Sequence, residues 1–271
     1  MPHMHPFAIL AFVSLAAACS WPQHKASRLV TFEVPAAALQ RLGCTSHNGS
    51  IRVTGDAKAA VVTVRAELSV RGFTPEEAAA NLAQLDVAQE VAGDALTLGG
   101  RCPDALRRRF SPAFDFTITA PARLAVSATS HNGGIRAEGV DGEVQATTHN
   151  GDLHVTGGSP SVRGLTHNGD VVWRGAARRL ALTTHNGDID AELGADGEVT
   201  AELTTHNGNV DLAFAGAVDA EFAAETHNGR LRLGSRVTPV DVGKRKATGR
   251  VGKGGAGAVR ATTHNGSVTV K

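Results

Sequence analysis

Eight histidines of this chain stand in the same tetrapeptide, Thr/Ser-His-Asn-Gly, at positions 47, 131, 149, 167, 185, 206, 227 and 264. Imidazole ligates Zn²⁺ and Cu²⁺ and changes charge near pH 6.5, so repeated imidazoles on one face are candidates for metal binding or proton response. Asp152, Asp170 and Asp188 each follow the glycine in three consecutive copies, a placement that calcium-binding repeats use. Against both stands geometry. A closed metal site needs three or four converging ligands, whereas a column offers two adjacent ones. In the next three copies Asn209, Arg230 and Ser267 replace the aspartate. His149, His167, His185, Asp152, Asp170 and Asp188 are therefore the metal candidates, and the reading adopted is a polar corner copied by duplication, with no metal and no cofactor.

Other chemistry is weaker. The run Gly249 to Gly257 is glycine-rich, but it lacks the Gly-Lys-Ser/Thr ending and strand-to-helix setting of a phosphate loop. It is read as a loop before the last strand, Ala258 to Thr263. Arg107-Arg108-Arg109 suits phosphate or a lipid headgroup, and a solvated loop is the reading preferred. Sugar-cleaving β-helices need clustered carboxylates and aromatic platforms. Only Trp173 lies in the repeat and no acid pair flanks a groove, so no catalytic residue is assigned.

The elements that position these residues follow from their spacing. From His131 the steps between histidines are 18, 18, 18, 21, 21 and 37 residues, the mark of a repeat whose units bury their apolar faces against each other. Val144 to Val155 superposes on Leu180 to Ala191 and on Ala201 to Leu212. Apolar or small residues alternate before and after each corner, so each unit is two short strands. Asn-Gly between alternating flanks suits an antiparallel hairpin meander. The near-identity of the whole tetrapeptide suits better a parallel solenoid, in which like side chains stack about 4.8 Å apart as ladders. That fold predicts a turn ladder of His131-Asn132-Gly133, His149-Asn150-Gly151, His167-Asn168-Gly169, His185-Asn186-Gly187, His206-Asn207-Gly208, His227-Asn228-Gly229 and His264-Asn265-Gly266. If Thr148 points inward, alternation places His149 outward and Asn150 inward, with Asn amides and Thr hydroxyls bonding to their copies.

Upstream of the repeat, alternation predicts strands at Val30–Val34, Ser50–Val53, Ala60–Val70, Ala95–Leu98 and Phe114–Ala120. Thr74, Pro75, Glu76 and Glu77 announce a helix running to about residue 84. Lys+Arg 27 against Asp+Glu 26 leaves no field for nucleic acid. With aromatics at 4%, the core is expected in thin Val, Ile, Leu, Ala and Thr layers.

Residues 7–18 form an apolar run, too short for a bilayer, that reads as a signal peptide over 1–19. Cys19 after Ala16-Ala17-Ala18 resembles a bacterial lipobox, with Ala16 where Leu is usual, and Ser20 resembles the outer-membrane sorting choice. Residues 20–27 are read as a tether. Export would leave Cys44 and Cys102 in an oxidising compartment, where one disulfide is expected, closing a loop of about 58 residues worth ~4 kcal/mol; two separate thiols are the alternative.

Three segments together resemble the bacterial putative-adhesin family, envelope proteins of β-strand repeats related to head-GIN-domain adhesins. They are Asn48 to Val53 (Asn-Gly-Ser-Ile-Arg-Val), Phe114 to Pro121, and the serial Asn-Gly-Asp-[Ile/Val/Leu] turns, and the likeness extends over residues 28–271. It implies an all-β, single-stranded, right-handed parallel β-solenoid, the hand expected of parallel crossovers. Here that means a β-rich part over 28–123, with a helix at about 74–84, and a repeat over 124–271. The expectation is a non-catalytic lipoprotein of the cell envelope, anchored to the membrane and facing the periplasm or the surface, that meets a protein or glycan surface. The rivals are a metal- or pH-responsive sensor and a carbohydrate-active enzyme.

Overall fold

The structure is a computed structural model and describes residues 21–271. The expected signal peptide and the candidate lipid-attachment residue Cys19 lie outside the described residues.

The chain opens with β1 (His24–Pro35), then a first copy of the repeat, β2 (Arg41–Asn48) and β3 (Ile51–Asp56). An excursion follows: β4 (Val61–Gly72), α1 (Pro75–Ala83), β5 (Asp86–Ala92), β6 (Ala95–Arg101), α2 (Asp104–Phe110) and β7 (Ala113–Pro121). Then the two-strand units recur: β8 (Ala125–Asn132) and β9 (Ile135–Glu138), β10 (Val144–Asn150) and β11 (Leu153–Gly157), β12 (Ser161–Asn168) and β13 (Val171–Gly175), β14 (Arg179–Asn186) and β15 (Ile189–Leu193). The two-residue β16 (Gly197–Glu198) leads to β17 (Thr200–Asn207) and β18 (Val210–Phe214), and these to β19 (Val218–Asn228) and β20 (Leu231–Leu233). A hairpin of β21 (Val237–Val242) and β22 (Lys246–Val251) precedes the last unit, β23 (Ala258–Asn265) and β24 (Val268–Val270).

Strands that precede each His-Asn-Gly corner form one sheet, and strands that follow it form another. In the middle both are parallel and unshifted: Val126, Val144, Val162 and Leu180 are successive partners in the upstream sheet, and Ile135, Leu153, Val171 and Ile189 in the downstream one. The hairpin meander is thereby excluded for the repeat. At one end both sheets turn antiparallel, whereas at the far end only the upstream sheet does and the downstream one closes with β20 parallel to β24. β1 pairs β4 and β4 pairs β7 at one end, with β5 on β6 in the other sheet, and β22 pairs both β19 and β21 at the far end. These hairpins cover parallel edges that would otherwise offer bare N–H and C=O groups, and the outermost β21 carries Pro239 beside a register shift, which blunts it further.

The core is the thin space between the two sheets. Its buried residues are mostly Val, Ile, Leu and Ala. Trp173 is the largest side chain within it at 0% exposure. The same unit has Gly164 at the inward position where its neighbours carry Ala146 and Leu182. Trp173 is therefore packing, not a platform for sugar.

Helix α1 forms as its cap residues require. Thr74 Oγ1 accepts the Glu77 N–H at 3.1 Å, and Glu77 Oε2 accepts the Phe73 N–H at 2.7 Å. Three expectations for this region need correction. The basic cluster Arg107–Arg109 is helical, in α2, with the Arg109 guanidinium 5.4 Å from the Phe73 ring and 5.0 Å from Phe110. The tether reading fails at residues 24–27, which belong to β1 because β4 runs on to Gly72 and supplies backbone partners. Cys44 and Cys102 are free thiols, not a disulfide. Cys44 faces the core in β2 beside Leu98 of β6, and Cys102 lies four residues further along, roughly 13 Å at ~3.3 Å per residue, outside disulfide reach. Burial pushes the Cys44 thiol far above its ordinary range and Cys102 upward too, so neither is a ready nucleophile.

Candidate functional site

Three ladders, of Thr or Ser, His and Asn, run through every corner, and a fourth, of aspartates, spans three consecutive units. Thr148, Thr166, Thr184 and Thr205 point inward and are buried. Each hydroxyl donates to the glycine carbonyl of the adjacent coil: Thr148 to Gly133, Thr166 to Gly151 and Thr184 to Gly169, all at 2.9 Å. The expected bonding of each Thr to its own copies is thus replaced by a bond to backbone. That choice pairs a half-buried carbonyl at the corner.

The asparagines form the expected amide ladder, Asn132 to Asn48, Asn150 to Asn132, Asn168 to Asn150 and onward, at 2.7–2.8 Å. They do so at the surface: Asn150, Asn168 and Asn186 are exposed, not inward. The alternation stops at the corner, where the chain leaves one sheet for the other. Glycine is required next, since a Cβ at Gly169 would collide with the Gly151 carbonyl.

The aspartates are not grouped around a cation position. Asp152 Oδ1 accepts the N–H of Asp170 at 2.9 Å, Asp170 that of Asp188 at 2.8 Å, and Asp188 that of Asn209 at 2.7 Å. Each carboxylate clamps the backbone of the next coil. Among the described residues no group of three or more His, Cys, Asp or Glu side chains converges.

The histidines make the feature that distinguishes the surface. Seven successive contacts join all eight rings, with centroids 4.6–4.9 Å apart. From His149 onward the planes lie within 6° of parallel. Beside them, two residues upstream and on the same outer face, runs a second column including Thr129, Thr147, Thr183, Thr204 and Thr262, interrupted by Leu165 and Glu225. The two columns border an open groove of about 580 Å³ that spans the coils from Leu165 to His227. The sequence reading missed this Thr column; its period-2 offset from the histidines was the available signal.

The family model described as Toastrack DUF4097 matches residues 25–271. The chain belongs to that family. Solved structures to which the chain shows similarity include a putative cell adhesion protein from Clostridium sporogenes, at 9% identity and TM-score 0.37, covering 91% of this chain and 99% of that one. A putative adhesin from Bacteroides fragilis aligns at 11% identity and TM-score 0.44, covering 90% and 97%. One from Parabacteroides distasonis aligns at 9% and 0.36, covering 90% and 97%. No curated protein matches the chain. Within the described residues of this Toastrack chain, no helix is long and apolar enough to cross a membrane.

Proposed function

We propose that this Toastrack protein is a non-catalytic, adhesin-like binding protein of the cell envelope, and that the outer face carrying the His and Thr columns is its binding surface. The observation that carries the reading is the column of eight imidazoles in register beside a threonine column, over an open groove. A stack of identical units gives a long rigid face with many weak equal contacts, so that avidity replaces the affinity of a single pocket. A protein or glycan surface is the partner such a face suits. The reading includes a right-handed winding of the coils, the hand parallel crossovers take, and a lipid anchor at Cys19 in an outer-membrane lipoprotein. Deleting the gene, or replacing His149, His167 and His185 together by Ala in the full chain, is expected to reduce attachment of cells to their surface partner. Unchanged adhesion, aggregation and envelope integrity in both strains overturns it.

The stacked rings favour one second reading, a metal- or pH-responsive envelope sensor. Neighbouring imidazoles at this spacing share a cation through two ligands or repel one another when both are charged. Calorimetry with Zn²⁺, Cu²⁺ and Ca²⁺ on wild type and on the triple Ala variant decides it. No heat and no shift in Tm removes the sensor reading.

A further inference from the structure

The last unit of the sequence is not the last unit of the stack. β23 lies between β17 and β19, and β24 between β18 and β20. His264 accordingly stacks on His206 and on His227. Yet the coils of His206 and His227 touch directly where they begin: Gly197 pairs Val218, and the Ala217 N–H donates to the Asp196 carboxylate at 2.8 Å. They part only from Glu221 onward. Gly257 sits at the fork, where its carbonyl accepts the Glu221 N–H while the Ala258 N–H donates to Val199. A Cβ at 257 would collide with the Asp219 carbonyl.

The flanks do not need the wedge to be in register. The step from His206 to His227 is 21 residues, the same as the step from His185 to His206, which stack directly. Thr226 now donates to Gly266, and Asn228 to Asn265. Without the wedge they would meet Gly208 and Asn207, the groups that Thr263 and Asn265 now use. All ladders would close with one rung fewer. The inserted segment is a complete unit: Val259, Ala261, Val268 and Val270 are buried and need a slot of this cross-section. It hangs on the glycine loop 252–257, in which Gly252, Gly254 and Gly255 have positive φ, so the loop can serve as a hinge. Another copy of the chain offers an identical slot, and exchange of an identical element is a low-cost route to association.

We propose that Ala258–Lys271 is an exchangeable unit, which inserts into the slot between the His206 and His227 coils of a second copy and so links copies of this protein.

The test is a disulfide trap in full chains that carry Cys19→Ala, Cys44→Ala and Cys102→Ser. Thr204 and Thr262 are direct partners on adjacent parallel strands, within disulfide range. A chain with both Thr204→Cys and Thr262→Cys is expected to bridge internally. A chain with Thr204→Cys alone, mixed with one carrying Thr262→Cys alone, warmed, cooled and oxidised, is expected to give crosslinked heterodimer well above a control mixture of Thr204→Cys and Thr147→Cys chains. Heterodimer at the control level, with the internal bridge intact, overturns exchange; failure of the internal bridge overturns the insertion on which it rests.

Discussion

Asp170 holds the coil beyond it, its Oδ1 accepting the backbone N–H of Asp188 at 2.8 Å. Ring alignment follows such clamps. Between His149 and His167, and between His167 and His185, where aspartates bridge the coils, the planes differ by 6° and 3°. Where no side chain at that position bridges to the next coil the rings tilt, by 33° between His47 and His131, with Ser50 bonded to Asp115 instead, and by 25° between His131 and His149, where Gly134 stands. Asn209 Oδ1 and Ser267 Oγ take the same part at His264, whose contacts also lie within 6° of parallel, so it is a side-chain acceptor at this position that fixes the corner and through it the imidazole.

Asp170→Ala is therefore expected to cost about 1 kcal/mol, the usual net worth of one hydrogen bond, and to tilt His167 against His185. Gly134→Asp is expected to flatten the His131–His149 contact, the ordinary φ at 134 permitting it. Urea unfolding measures the first effect, and ring orientation in a crystal structure the second. A rise in stability for Asp170→Ala, or unchanged rings, contradicts the clamp.

The inward threonines are expected to matter more than the outward ones. Thr166→Val keeps the shape but deprives the half-buried Gly151 carbonyl of its donor, at a cost of about 1 kcal/mol. Thr183→Val, on the outer face of the neighbouring coil, is expected to stay within roughly 0.5 kcal/mol of wild type. Denaturant midpoints at equal m-value give the comparison.

Much of this was legible in the chain and some was not, for identifiable reasons. Near-identity of Thr-His-Asn-Gly announces columns, and the parallel register delivers them at Asn150, Asn168 and Asn186. The outward turn of those asparagines was hidden because alternation holds along a strand and lapses at a corner. The order of units at the C-terminal end was hidden by the repeat itself. Thr205, Thr226 and Thr263 are each followed by His-Asn-Gly, so the repeated motif does not say which coil stacks on which. Helix α2 was missed because its N-cap is Pro103, which makes no side-chain cap, and three arginines stand in its seven residues. The free thiols were misread because an even count says nothing about distance.

His154 gives a pH prediction away from the column. It stands on the downstream sheet, where burial lowers its pKa first and Arg136 second, with Glu138 opposing and Arg174 adding to the lowering. A histidine whose folded pKa lies below the unfolded value of about 6.5 contributes stability above that pH and loses it as pH falls towards the folded value. His154→Gln is expected to lose less stability than wild type between neutral and mildly acidic pH, with no difference at pH 8. Unfolding series at several pH values check this, and parallel curves would refute the sign.

Trp173 offers the last test, because its indole N–H is buried without a hydrogen-bond partner. An unpaired buried donor costs about 1–3 kcal/mol, which offsets part of what the ring gains by burial. Trp173→Phe is therefore expected to destabilise by under about 1.5 kcal/mol, against roughly 3–5 for Trp173→Ala, which leaves the cavity unfilled. The chain has two tryptophans, and the other, Trp21, is 80% exposed. In a Trp21→Phe background, fluorescence reports Trp173 alone. Its emission is expected to be blue-shifted and closed to iodide until the sheets separate, so quenching in the native state would show that the middle coils do not pack as described.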